Sequence, residues 1–200
     1  MATEGQTERS HEEQAELWSC TTVQFALRVG QPEPPKVLFD ASRSQPGLAA
    51  YYYPTDELIL HPNLAVERPD LYCYEGLILH ELGHRASPAP LGARRWIRLL
   101  LPAAAVLGLP GYIDLAAPNL SAIVLLAMMA AVVAGAIAVW ILSWLAEFAA
   151  DDYMCDHGGI ARAAAMLELI DNHRGKWSHP PTRMRLHRQL RRTGLLPGRR

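Results

Sequence analysis

His80-Glu81-Leu82-Gly83-His84 sets two imidazoles four residues apart, with a carboxylate beside the first. Four residues is just over one helical turn, so on a helix both rings project from one face and can reach one ion. Glu81 is displaced around the helix, where it meets a water rather than the ion itself. The flanking residues supply the helix. Leu71, Tyr74, Ile78 and Leu82 recur at spacings of three and four, which predicts a helix over 70–86. Imidazole nitrogen and carboxylate oxygen suit zinc, so the expectation is one zinc ion per chain, held by three protein ligands.

The third ligand is sought downstream. Glu147-Phe148-Ala149-Ala150-Asp151 begins where a long apolar run ends and is expected to continue its helix. Glu147 and Asp151 are again four apart and share a face. Glu147 can complete a His-His-Glu set with His80 and His84. Asp151 can accept a hydrogen bond from the far nitrogen of a ligand histidine and so fix its tautomer.

Between the two motifs the chain changes character. Leu99–Ile113 carries no charge, and Leu120–Ala146 is 27 residues without one. At 1.5 Å per residue the second run is about 40 Å long as a helix, more than the roughly 30 Å hydrocarbon core of a bilayer. The two runs predict a two-helix transmembrane hairpin over 96–146. The first is short and contains Pro102 and Pro110. Arg94, Arg95 and Arg98 precede it, whereas the connection around 114–119 has no Lys or Arg. The positive-inside rule then puts both termini and the metal motifs in the cytosol.

Upstream, residues 8–29 read as an amphipathic helix with Trp18, Phe25 and Val29 on one face, ended by Pro32, Pro34 and Pro35. Residues 36–40 are a short apolar run and 42–47 have turn composition. Leu48–Tyr53 and Glu57–Leu60 read as two strands around Pro54-Thr55-Asp56. The resulting organisation is an N-terminal helix (1–31), a first part of the metal domain (32–95), the hairpin (96–146), and a second part ending in a basic helix (147–200). That is an α+β, mostly helical domain with a small edge-strand sheet, interrupted by a membrane insertion.

Composition narrows the partners. A net charge of −1 gives no reason to expect nucleic acid. From Gly158 to Arg200 there are ten Arg or Lys against Glu168 and Asp171, which reads as a solvated helix or as contact with anionic lipid headgroups. Cys20, Cys73 and Cys155 have no metal-type spacing and read as reduced thiols facing a reducing compartment. Glu4, Glu8, Glu12, Glu13 and Glu16 interrupt any signal-peptide apolar region. Two Lys against seventeen Arg hint at a bacterial genome rich in G and C, hence a bacterial inner membrane.

Taken in order, H80-E-L-G-H84, an apolar hairpin, E147-F-A-A-D151 and S178-H-P-P-T-R-M-R185 closely resemble the membrane gluzincins related to the heat-shock protease HtpX and the CAAX prenyl protease. The likeness runs from about residue 34 to about 192. It implies a zincin-like metalloendopeptidase with Glu147 as third zinc ligand and Glu81 as general base. His179 would steady the transition state, and Arg185 would support the site by ion pairing. It also implies a polypeptide substrate, membrane proteins among them, lying along the sheet edge at Leu48–Leu60. From the residues themselves, Tyr51, Tyr52 and Tyr53 can line such a groove, although alternating strand faces would bury at least one. One departure stands out: HtpX-like proteins carry further membrane helices before the zinc motif, and none is read here. Two rivals remain. An intramembrane protease is disfavoured by the polarity of Glu75, His80, Glu81, His84 and Arg85. A zinc-binding membrane protein that senses or binds a partner without catalysis would not need Glu81.

Overall fold

A computed structural model describes residues 4–44, 48–62, 64, 71–100, 118–172 and 179–196. The described chain divides into two compact units, Met1–Ser87 with Glu147–Arg200, and Pro88–Ala146.

In the first unit, helix α1 (Glu4–Arg28) is followed by strand β1 (Lys36–Phe39), a single helical turn α2 (Ala41–Ser44), strand β2 (Ala49–Tyr52), a 3-10 turn (Tyr53–Thr55) and strand β3 (Glu57–Leu60). The strands form a mixed sheet in the order β1-β3-β2. β1 runs parallel to β3 (Lys36 opposite Glu57), and β2 runs antiparallel to it (Tyr51 opposite Leu58). Leu58, Ile59 and Leu60 of the central strand are fully buried, as a strand covered on both faces requires. The short apolar run at 36–39 is thus a third strand, pairing with a partner about twenty residues away that its local pattern does not reveal.

Helix α3 (Leu71–Ala86) carries the H-E-x-x-H sequence, in agreement with the spacing of its apolar residues. Tyr74, Leu77, Ile78, Leu79, His80, Glu81 and Leu82 are all buried, so the helix is enclosed on nearly every side. α1 covers one side: Trp18 packs edge-on against Tyr74, whose hydroxyl meets Thr22 at 2.7 Å, and Phe25 and Ala26 join the same core.

The long helix α4 (Pro118–Asn172) covers another. It contains one non-helical residue, Gly159 (φ +79°, ψ 167°), a conformation that glycine adopts without steric cost. α3 and α4 approach closely at two glycines. A Cβ on Gly76 would lie 2.7 Å from the Arg162 carbonyl oxygen, and one on Gly83 would lie 2.7 Å from the Ala150 Cα. Both contacts are with backbone, so only glycine allows this crossing. Arg162 turns back to form an ion pair with the buried Glu75. Helix α5 (Thr182–Arg192) completes the unit.

In the second unit, residues 89–100 are helical. Arg94 Nη1 donates to Ser143 Oγ at 3.2 Å. Residues 118–146 of α4 belong here, and of the apolar side chains described from 126 onward, Leu126, Val133, Ile137 and Leu145 are each at least half exposed. One helix is therefore long and apolar enough to cross a membrane. Of the expected hairpin, this second arm is described. Residues 101–113 of the first arm, and most of the connection, lie outside the described residues.

Candidate metal centre

The close crossing at Gly83 and Ala150 sets the first turn of α4 beyond Ala146 against the middle of α3. His80, His84 and Glu147 converge there, all buried, with their candidate ligand atoms within 4.8 Å of one another. His80 Nε2 lies 3.4 Å from Glu147 Oε2, and His84 Nε2 lies 3.6 Å from Glu147 Oε1. These separations are long for hydrogen bonds. They are close to the roughly 3.3–3.4 Å that separates two ligands placed about 2.0–2.1 Å from a tetrahedral ion.

Two further observations bear on whether a cation fits. The first is His84, whose Nδ1 is buried with no hydrogen-bond partner among the described residues. Its Nε2 faces Glu147 Oε1 at 3.6 Å, a separation that an ion between the two would bridge. The second is charge. Glu81, Glu147 and Asp151 are three buried carboxylates answered by one buried guanidinium, Arg185, so with neutral imidazoles the cluster carries two uncompensated negative charges. Buried charge of that size must be paired. A divalent cation matches it in sign and magnitude, and the donor set of two imidazoles and a carboxylate suits zinc.

Without an ion the cluster retains a proton instead. Burial favours the neutral form of His80, but the carboxylates of Asp151 and then Glu147 outweigh it and push the ring up to about 9. Burial also works to raise Glu147. The charge of Arg185, helped by His179 and His80, holds it well below the usual carboxylate range.

The supporting residues surround these three. Asp151 Oδ1 is 3.1 Å from His80 Nδ1, which fixes the ring with Nε2 turned towards Glu147. Arg185 reaches across from α5. Its Nε and Nη2 bind the two oxygens of Asp151 at 2.8 and 2.6 Å, and its Nη1 lies 3.2 Å from Glu147 Oε2. Burial would raise Asp151, but the bonds from Arg185 hold it below its ordinary value. Next along α5, Arg188 pairs with Asp152, and Arg192 pairs with Asp156 at 2.6 Å. Three arginines of the basic helix are thus committed to α4 in register.

His179 stands at the rim, its side chain half exposed, with Nδ1 2.9 Å from Glu147 Oε1. Glu81 is buried and accepts a 2.7 Å hydrogen bond from the main-chain N–H of Tyr51. The three tyrosines separate. Tyr51 turns its hydroxyl to Asp56 at 2.8 Å, whereas Tyr52 and Tyr53 are exposed.

Sequence reading did not reveal the bracket around Asp56. This residue sits in the left-handed region (φ 51°) and receives Arg85 in a two-pronged pair at 2.7 and 2.6 Å. Arg85 Nη1 also donates to Gln31 Oε1 at 2.9 Å, and Gln31 Nε2 donates to the Leu82 carbonyl and the Tyr153 hydroxyl. The one available signal was Arg85 directly after the motif. Asp56, Gln31 and Tyr153 are far apart in sequence and carried none.

No family model, curated protein or solved structure matches the chain. The likeness to membrane gluzincins therefore rests on the motifs and on the buried cluster they build.

Proposed function

We propose that the chain is a membrane-anchored zinc endopeptidase, with His80, His84 and Glu147 as metal ligands and Glu81 as general base. The observation that supports this most is the buried His-His-Glu cluster, its candidate ligand atoms within 4.8 Å of one another, with the buried Glu81 carboxylate on the same helix as the two histidines. A zinc ion in such a site supplies Lewis acidity, which makes a water nucleophilic near neutral pH and polarises a carbonyl.

The residues of the chain do the rest. Asp151 and Arg185 keep His80 and Glu147 oriented. Glu81 takes a proton from the attacking water and hands it to the leaving amine. His179, on the exposed side of Glu147, donates to the oxygen that gains charge as the peptide carbonyl is attacked. Tyr52 and Tyr53 present apolar faces to a polypeptide beside the sheet edge.

The apolar stretch of α4, with 99–113 as a first arm, anchors the protein in a bacterial inner membrane. The flanking arginines favour a cytosolic site, and membrane-protein quality control or processing suits such a site beside the bilayer.

The test is zinc content and casein cleavage on detergent-purified protein, wild type against Glu81→Gln. Zinc in both with cleavage in wild type alone is the expected result. Zinc in both with cleavage in neither would point instead to a binding or sensing module, and cleavage by Glu81→Gln at the wild-type rate would remove Glu81 from its role.

A further inference from the structure

Glu81 accepts a single hydrogen bond from the described residues, and it comes from main chain rather than from a side chain. The donor is the N–H of Tyr51 in β2, an edge strand of the sheet. His61 N–H bonds the Leu48 carbonyl, so along β2 the residues at 48, 50 and 52 face β3 with their polar groups, while Ala49 and Tyr51 turn theirs outward. One carboxylate oxygen of Glu81 is thus held at 2.7 Å by a strand that does not need that N–H for its own pairing. The other oxygen has no protein partner among the described residues.

A buried carboxylate with a purely structural role would have both oxygens satisfied. A base that must meet a water needs one oxygen fixed and one free. The strand itself is braced on the helix that carries Glu81. Tyr51 Oη donates to Asp56, and Asp56 is held by both prongs of Arg85, which lies four residues after Glu81 on the same helix. Tyr51 is therefore tied to α3 at two successive turns, through its N–H to Glu81 and through its hydroxyl and Asp56 to Arg85.

We propose that the Tyr51 main-chain N–H is the positioning group for the general base, orienting Glu81 with one oxygen free, and that the Asp56–Arg85 pair sets the strand that carries it. This rests on the hydrolase reading given above. It also limits strand addition, because the Tyr51 N–H is reserved for Glu81, leaving the Ala49 groups and the Tyr51 carbonyl to a polypeptide at this edge.

The test uses full-length protein in detergent. Tyr51→Pro removes the N–H at an outward-facing edge position, which tolerates proline, and Tyr51→Phe keeps the N–H but loses the link to Asp56. With zinc stoichiometry and circular dichroism as fold controls, Tyr51→Pro should lower kcat on casein peptides on the order of 10- to 100-fold. KM should move by less than about twofold, and Tyr51→Phe should show a smaller drop in kcat.

Independently of turnover, the Tyr51 amide proton in a 15N-labelled sample should resonate far downfield. It should move upfield in Glu81→Ala, in metal-free and zinc-loaded protein alike. A raised KM with kcat intact in Tyr51→Pro would overturn the proposal and give the N–H to the substrate. An amide resonance indifferent to Glu81→Ala would overturn it while leaving the hydrolase reading standing. A wild type that cleaves no peptide would instead remove the hydrolase reading, and with it the role assigned to this N–H.

Discussion

The two stretches of α4 on either side of Ala146 invert each other. Before it, apolar side chains such as Val133 and Ile137 are exposed; after it, Glu147 and Asp151 are buried. Either arrangement is unfavourable for a protein alone in water. Exposed apolar surface on this scale marks a surface meant to be covered, and buried carboxylates in excess of their cations mark a charge meant to be answered. The same helix thus carries apolar surface to be covered along one stretch and negative charge to be answered along the other. The change falls at one residue, where the sequence passes from 27 uncharged positions to Glu147.

The largest expected effect is on the charged stretch. Glu147→Ala removes the carboxylate shared by both imidazoles, and zinc that co-purifies with wild type should fall to background by atomic absorption. Membrane extraction behaviour should stay unchanged, since the apolar stretch is intact. If the variant lost its membrane association as well, the two stretches would not be separable in the way described.

The mirror-image substitution is Val133→Arg. A charge at the centre of a spanning helix costs about 2.5–3.5 kcal/mol in insertion, so the fraction inserted, read by carbonate extraction or glycosylation mapping, should drop. An unaltered fraction would argue that this stretch meets protein rather than lipid.

How much of this could be read beforehand differs between the two stretches for a physical reason. A long apolar run declares itself by composition, and H-E-x-x-H by local helical geometry, so both were legible. Glu147 and Asp151 were legible because they repeat the same four-residue spacing. What stayed hidden was long-range geometry. The crossing of α3 and α4 depends on Gly76 and Gly83 having no Cβ, which no local pattern reports. The pairing of β1 with β3 joins residues some twenty apart, and the Gln31–Arg85–Asp56 bracket joins three separate elements. The excess of arginine near the C-terminus suggested a solvated or lipid-facing helix. Arg185 pairs with Asp151, as the motif resemblance implied, while Arg188 and Arg192 also pair with Asp152 and Asp156 on α4, which the sequence reading did not anticipate.

A smaller effect sharpens the ordering of ligand and support. Asp151→Asn keeps the shape at His80 Nδ1 but gives up the charge that fixes its tautomer. Zinc affinity, measured by competition with a chelating dye, should weaken by about 10- to 100-fold. Complete loss would promote Asp151 to a ligand, and no change would remove it from the site.

The smallest effect is a slope with pH. In metal-free protein His80 titrates at about 9 against an ordinary 6.5, so its protonation stabilises the fold fully below about 6.5 and this contribution is lost as pH rises through about 9. Thermal stability without metal should therefore decline across that window. Zinc-loaded protein should not follow that decline, because the ion replaces the proton, and loading should release protons below about pH 9. Parallel slopes for the two forms would contradict displacement of the His80 proton.

Zinc K-edge X-ray absorption on the purified full chain tests the metal assignment most directly. The prediction is a zinc ion with nitrogen and oxygen neighbours at about 2.0–2.1 Å, including two imidazoles, and no such signal in Glu147→Ala. A sulfur neighbour at about 2.3 Å, or a wild-type protein that takes up no zinc, would contradict it.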